Sequence, residues 1–193
     1  ISGHRRVAAC RELGVDTIPA IVKELTKEEA VITMVDANLQ RENLLPSEKA
    51  FAYKMKAAAM KAQGKRTDLT SSQVATKSDT ATTIGQQLGE SRDQVYRYIR
   101  LTYLIPELLK MVDEQRIAFT PAVEISYLPE REQRVLIDEI EYTDATPSLS
   151  QAQRLRKFSN QGRLSVDTVF AVLSEEKPNQ KEQVKFMTED IRK

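Results

Sequence analysis

The stretch ATTIGQQLGESRDQVYRYIR, residues 81–100, constrains what this chain can fold into more than any other. Ile84 and Leu88 lie one helical turn apart, and Val95, Tyr98 and Ile99 resume helical spacing after a break at Gly89. The pattern predicts two short helices joined by a glycine turn, a helix-turn-helix, with small Gly85 letting the pair cross closely. In that register Arg92, Tyr96 and Arg100 share one outward face, and Ser91, Gln94 and Arg97 lie beside it. Arg and Gln form paired hydrogen bonds with guanine and adenine edges, while further Arg, Ser and Tyr groups hold phosphates. These six residues are the candidate DNA-reading set. Glu90 stands at a turn position that is often apolar, and Tyr98 and Tyr103 are expected to pack between helices. The plainer alternative is two packed helices of an all-α protein with no nucleic-acid role.

The rest of the composition favours helix. The 193 residues are 40% hydrophobic and 30% charged, enough for one large or two small cores. Glycine is scarce, tryptophan is absent, and Ala, Leu, Glu, Gln, Lys and Arg are plentiful. One cysteine excludes an internal disulfide framework and a cysteine-rich zinc module, and suits a reducing compartment. No apolar run approaches the roughly 20 residues that span a bilayer, and there is no signal-peptide pattern, so no membrane partner is expected. Net charge is only +1, but cations cluster at residues 4–11, at 49–66 (Lys49, Lys54, Lys56, Lys61, Lys65, Arg66) and at 92–100, while acids gather at 130–144. Such segregation can present a basic face to nucleic acid, or no more than solvated helix faces.

The amino end, ISGHRRVAACRELG, reads as a short helix. Val7, Cys10 and Leu13 recur every three residues, Cys10 as a small inward-facing core residue, and Gly14 supplies a left-handed stop with Val15 following. His4, Arg5 and Arg6 then occupy the first turn, where the peptide dipoles already carry positive charge. Each cation there costs a few tenths to about 1 kcal/mol. A bound anion would resolve the conflict, since a helix N-terminus behind a close-approach glycine is a phosphate site. The alternative is a solvated, arginine-rich first turn.

Further along, residues 17–25 (TIPAIVKEL) are the best strand candidate, with Pro19 suggesting an edge or strand start. Thr26 and Glu29 form a capping box for a helix whose inner stripe is Val31, Met34, Val35 and Leu39, with Asn38 on or beside that face. The next helix opens at Pro46, buries Ala50, Phe51, Met55, Ala58 and Ala62, and stops at Gly64. Residues 65–82 lack an apolar period and read as a hinge. Short helices are expected at 80–88, 92–103, 106–115, 119–127, 130–140, 148–159 and 165–175, with a last one in the tail around Val184, Met187 and Ile191. The expected fold is mainly α with a small α/β amino-terminal part. Domains are expected at 1–64, 65–176 and a tail at 177–193.

Three motifs in this order resemble the ParB family of partition proteins. SGHRRVAA is similar to its first box, DANLQRENLLPSEKA to its second, and residues 84–128 to its helix-turn-helix and following helices. The resemblance covers about residues 1–158. It implies a nucleotide-binding fold, truncated at its start because the first box lies at the very edge of the sequence, followed by a helix-turn-helix domain. It implies CTP and Mg²⁺ as cofactors, with Gly3, His4, Arg5 and Arg6 at the triphosphate, Gln40 and Arg41 in the same site, and Asn38 near the metal. It further implies a homodimer on a palindromic double-stranded DNA site, a ParA-like ATPase partner, and a bacterial cytoplasmic location on nucleoid or plasmid.

Departures from the family pattern shape these expectations. His4 and Ala37 replace two glutamates, and alanine can neither bind Mg²⁺ nor orient water, so CTPase activity is expected to be weak or absent and no catalytic residue is assigned. Asp36 is a poor substitute, because one helical position turns a side chain by about 100°. Leu45 stands where a capping Asn or Thr is common. The alternative reading is a helix-turn-helix repressor or copy-control factor without nucleotide binding. A third, from another class, is an ATP-using enzyme built on the first helix; His4 beside Gly3 faintly resembles sulfiredoxin, but Ser2 replaces its reactive cysteine.

Overall fold

The computed structural model describes residues 3–41, 43–67 and 79–175, with the backbone alone at 64–67. Among these it forms ten helices: α1 (His4–Glu12), α2 (Lys27–Leu39), α3 (Pro46–Thr67), α4 (Thr80–Leu88), α5 (Arg92–Leu101), α6 (Pro106–Asp113), α7 (Phe119–Ile125), α8 (Glu130–Thr143), α9 (Leu149–Asn160) and α10 (Val166–Leu173). The protein is mainly α, and the seven short helices expected between 80 and 175 all form, most ending within two residues of the expected bounds. The expected tail helix, Ser2 and most of the proposed hinge lie outside the described residues.

Local signals set the helix ends. Gly14 adopts φ 68°, and the Gly14 and Val15 N–H groups donate to the Arg11 and Cys10 carbonyls at 3.2 and 2.9 Å, which closes α1 as a Schellman turn. Thr26 and Glu29 cap α2 reciprocally, at 3.3 and 2.8 Å. Ser91, Ser148 and Ser165 cap α5, α9 and α10.

Four expectations are corrected. No strand forms among the described residues; 15–26 is irregular, and Ile21 and Val22 are almost fully exposed. A strand needs a neighbour for its N–H and C=O groups, and none of the described segments offers one. Cys10 is only half-buried, because α1 buries none of its residues. The α3 stripe faces the wrong way: Ala50 is buried, but Phe51, Met55, Ala58 and Ala62 are exposed. The inner face is instead Ala50, Tyr53, Lys56 and Ala59, with Ala57 and Met60 beside it. Lys56 disguises that face in the sequence, since its stem is buried with the charge satisfied by partners. Finally, α3 runs through Gly64 to Thr67; a glycine interior to a long helix costs only about 1 kcal/mol against alanine. The boundary expected at 64/65 therefore falls inside α3.

α3 is the central strut and packs against α2, α4, α5 and α6. Around it lie two apolar clusters. The smaller joins Tyr53, Ala81, Ile84 and Val95, and the larger runs from Ala50 and Leu101 through α6–α10. Tyr98 touches both, edge-on to Tyr53 at 5.6 Å and tilted against Phe119 at 4.7 Å. Polar anchors lock the larger cluster. Buried Gln133 accepts from the Ile105 N–H (2.8 Å) and donates to the Tyr103 and Leu128 carbonyls (3.0 and 2.9 Å). Buried Gln151 completes the α9 capping box and donates to the Val172 carbonyl at 2.6 Å.

Two variants test this packing. A Cβ at Gly85 would lie 2.5 Å from the Glu90 carbonyl oxygen, so Gly85→Ala should destabilise the chain by about 1–3 kcal/mol in thermal or urea unfolding. Gln133→Ala leaves three backbone groups without their partner and should cost about 1–3 kcal/mol.

Candidate nucleic-acid interface

α4 and α5 are two short helices joined by a turn at Gly89. Ile84 and Val95 are fully buried between the helices, with Leu88, Tyr98 and Ile99 packed beside them. Gly89 turns the chain at φ 69°, and the Glu90 N–H donates to the Gly85 carbonyl at 2.9 Å. The Ser91 hydroxyl then accepts from the Gln94 N–H at 3.1 Å and starts α5. Glu90 is explained by α3: its carboxylate is ion-paired to Lys49 and accepts from the Tyr53 hydroxyl at 2.9 Å. Burial and then that carboxylate push the Tyr53 hydroxyl far above the usual tyrosine range, so it stays a donor.

The six predicted readers divide between two sides of α5. Arg92 and Tyr96 stand exposed near its N-terminus, in the half that meets base edges in helix-turn-helix readers. Both bond Asp79, Arg92 through Nε at 2.5 Å and Tyr96 through its hydroxyl at 2.8 Å to each carboxylate oxygen. The Tyr96 hydrogen bond and then Arg92 hold the Asp79 carboxyl below its ordinary range, while Asp79 raises Arg92 and Tyr96. Ser91 is exposed but serves as the cap, and Gln94 is half-buried.

Arg97 and Arg100 turn instead toward α7. Arg97 reaches the Thr120 hydroxyl at 2.7 Å and lies over the Phe119 ring. Arg100 donates to the Ser126 hydroxyl and carbonyl at 3.1 and 2.6 Å, and its guanidinium lies against Tyr103 and Tyr127. The single outward face expected for Arg92, Tyr96 and Arg100 is therefore not formed. Eight residues at 100° each leave Arg100 about 80° round the helix from Arg92. Tyr103, expected to pack inward, is 55% exposed and also carries Lys54 over its ring.

Two lysines of the 49–66 cluster are likewise drawn into ion pairs between helices; the side chains of Lys65 and Arg66 lie outside the described residues. Lys49 is spent on Glu90. Lys56, 1% exposed, sits 2.5 Å from both Asp36 and Gln87 and pins α2, α3 and α4 together. Sequence reasoning missed Asp79, Lys49, Tyr53 and Lys56, whose roles depend on contacts 13 to 41 residues away in the chain.

At the amino end, Gly3 has φ 93° and precedes α1, whose first turn holds no acid and no side-chain cap. His4, Arg5 and Arg6 are exposed there, and the Arg6 guanidinium lies over Gly3, where a Cβ would meet its Nη2 at 3.6 Å. Uncapped N–H groups and a folded-back arginine suit an anion. Asn38, Gln40 and Arg41 are all exposed at the far end of α2, so Asn38 is not the buried amide its spacing suggested. Among the described residues no group of three His, Cys, Asp or Glu side chains fits a metal ion. Among the described residues no helix is long and apolar enough to cross a membrane.

Residues 1–39 match the ParB N-terminal domain family. Relatives match well beyond that span. The chromosome-partitioning protein Spo0J of Thermus thermophilus is 33% identical over 117 residues, 61% of this chain and 37% of the relative. The stage 0 sporulation protein J of Bacillus subtilis is 33% identical over 114 residues, 59% and 34%. A nucleoid occlusion protein of Listeria innocua is 30% identical over 142 residues, 73% and 44%. The chain spans between a third and a half of the length of these relatives. The matched amino-terminal domain and the likeness beyond it make this chain similar to ParB-family partition proteins over most of its length.

Proposed function

We propose that the chain is a sequence-specific duplex-DNA-binding protein of chromosome or plasmid partition, in which α5 enters the major groove. The observation that carries this reading is the exposed pair Arg92 and Tyr96 on the N-terminal half of α5, behind a turn fixed by Gly85, Gly89 and Glu90. Arg92 reads a purine edge and Tyr96 sits beside it, with surrounding cations contacting phosphates. Two copies bind a palindromic site with half-sites about one helical turn apart. The names of the relatives support the partition role, and a ParA-like ATPase is the partner that the family resemblance implies.

The same resemblance assigns CTP to the amino end. Gly3, His4, Arg5 and Arg6 would hold its phosphates, with Gln40 and Arg41 in the same site and Asn38 toward Mg²⁺. The nucleotide would supply negative charge that offsets the α1 dipole and its three basic residues together. Ala37 favours a second reading, a repressor-like DNA binder without nucleotide, because it leaves that position with no side-chain oxygen for a metal or a water.

With a duplex selected by the chain from a randomised pool, Arg92→Ala should weaken binding by about 1–3 kcal/mol in fluorescence anisotropy; an unchanged isotherm rejects α5 as the reader. Calorimetric titration with CTP and Mg²⁺ should give heat that Arg5→Ala/Arg6→Ala removes. Absence of heat from the unaltered chain with either CTP or ATP selects the nucleotide-free reading.

A further inference from the structure

Asp79 stands at the N-cap of α4, yet its side chain makes no capping hydrogen bond of good geometry to that helix, and the Ala81 N–H influences it less than Tyr96 and Arg92 do. An aspartate there ordinarily accepts from its own helix's first turn and stabilises it. Here the carboxylate crosses instead to the neighbouring helix and accepts from both exposed side chains of the reading face, Arg92 at 2.5 Å and Tyr96 at 2.8 Å. The Arg92 guanidinium also lies 5.4 Å from the Tyr96 ring centre, so three side chains form one closed group. Its Asp79 bond uses Nε, and the two terminal nitrogens are the remaining donors of the fork.

We infer that Asp79 is a specificity-determining positioning residue: its carboxylate sets the Arg92 fork and the Tyr96 hydroxyl for reading guanine, and its charge keeps that spot from settling on backbone phosphate. The inference rests on the DNA reading proposed above. An exposed arginine on a flexible stem near DNA finds a phosphate as readily as a base, and phosphate contacts carry no sequence information. A fixed carboxylate removes that freedom in two ways. It holds the planar guanidinium in one pose, and it repels the phosphate that would compete for it. Arg97 and Arg100 have no such need, because Thr120 and Ser126 already hold them on the α7 side.

The test uses the full chain and two probes, a duplex pool with a randomised core and poly(dA–dT), which offers no guanine. The unaltered chain should enrich guanine at one position of each half-site. Asp79→Asn and Asp79→Ala should reduce that enrichment about tenfold, while poly(dA–dT) binding holds or tightens. Asp79→Glu should restore part of the preference, and Asp79→Ala/Arg92→Ala should discriminate no worse than Arg92→Ala alone, as expected of two residues acting through one contact. Guanine enrichment that survives Asp79→Asn overturns the inference. So does an equal loss on both probes, which would mean that Asp79 only supports the fold. If Arg92→Ala flattens a position that Asp79→Asn leaves intact, the inference alone falls. If the unaltered chain enriches no sequence, the DNA reading falls with it.

Discussion

The arrangement of α3, α4 and α5 depends on how Glu90 is held at the turn between α4 and α5. A carboxylate in the middle of a helix-turn-helix turn would be costly if it were desolvated without partners. Here α3 supplies both, the Lys49 ammonium and the Tyr53 hydroxyl. The Lys49 ammonium also lies 4.6 Å from the Tyr98 ring centre, so the ion pair rests on the aromatic bridge between the two apolar clusters. Because Gly85 lets the turn backbone come within 2.5 Å of where a Cβ would stand, the pair cannot slide apart or rotate without breaking these contacts. The pitch of α5 is therefore set from α3, outside the motif itself.

That constraint sorts the arginines of α5 by task. Arg92 projects from the free end, while Arg97 and Arg100 tie the helix to α7. Arg100 belongs to a run of alternating cations and rings, in which Lys54 lies over Tyr103, Arg100 against Tyr103 and Tyr127, and Arg156 over Tyr127 with Glu124 as its carboxylate partner. Cation–ring contacts of this kind stabilise by about 0.5–1 kcal/mol each at exposed sites, and together they brace α5 against α3, α7 and α9. Positive charge on this surface is partly scaffold. A count of basic residues along the sequence cannot separate the two uses.

Much of the architecture was legible because it rests on signals a few residues long. The Thr26–Glu29 box, the Gly14 stop, the Gly89 turn, the prolines at helix starts and the Ile84/Val95 seam all act through near neighbours, and each is found where the spacing placed it. Leu45 shows the limit. It lacks a capping side chain, but Glu48 accepts from its N–H at 3.1 Å and Asp113 of α6 accepts from the Ser47 N–H at 2.9 Å. A remote carboxylate does the work of a local cap. The α3 stripe failed for a related reason: lysine counts as polar in any pattern, yet Lys56 is buried because Asp36 and Gln87 meet its charge.

The sequence by itself determined the helical class, the position of the α4–α5 pair with its glycine turn and the basic turn behind Gly3, since these follow from propensity, periodicity and capping within one or two turns of chain. Tertiary structure alone decided which arginines are displayed, that Glu90 faces a lysine and a tyrosine, that the Asp79 carboxylate reaches Arg92 and Tyr96, and that residues 15–26 join no strand among the described residues. Those outcomes depend on which groups meet across long stretches of chain. Electrostatic and hydrogen-bond partners are fixed by distances of a few ångströms in space, a quantity that order along the chain does not contain.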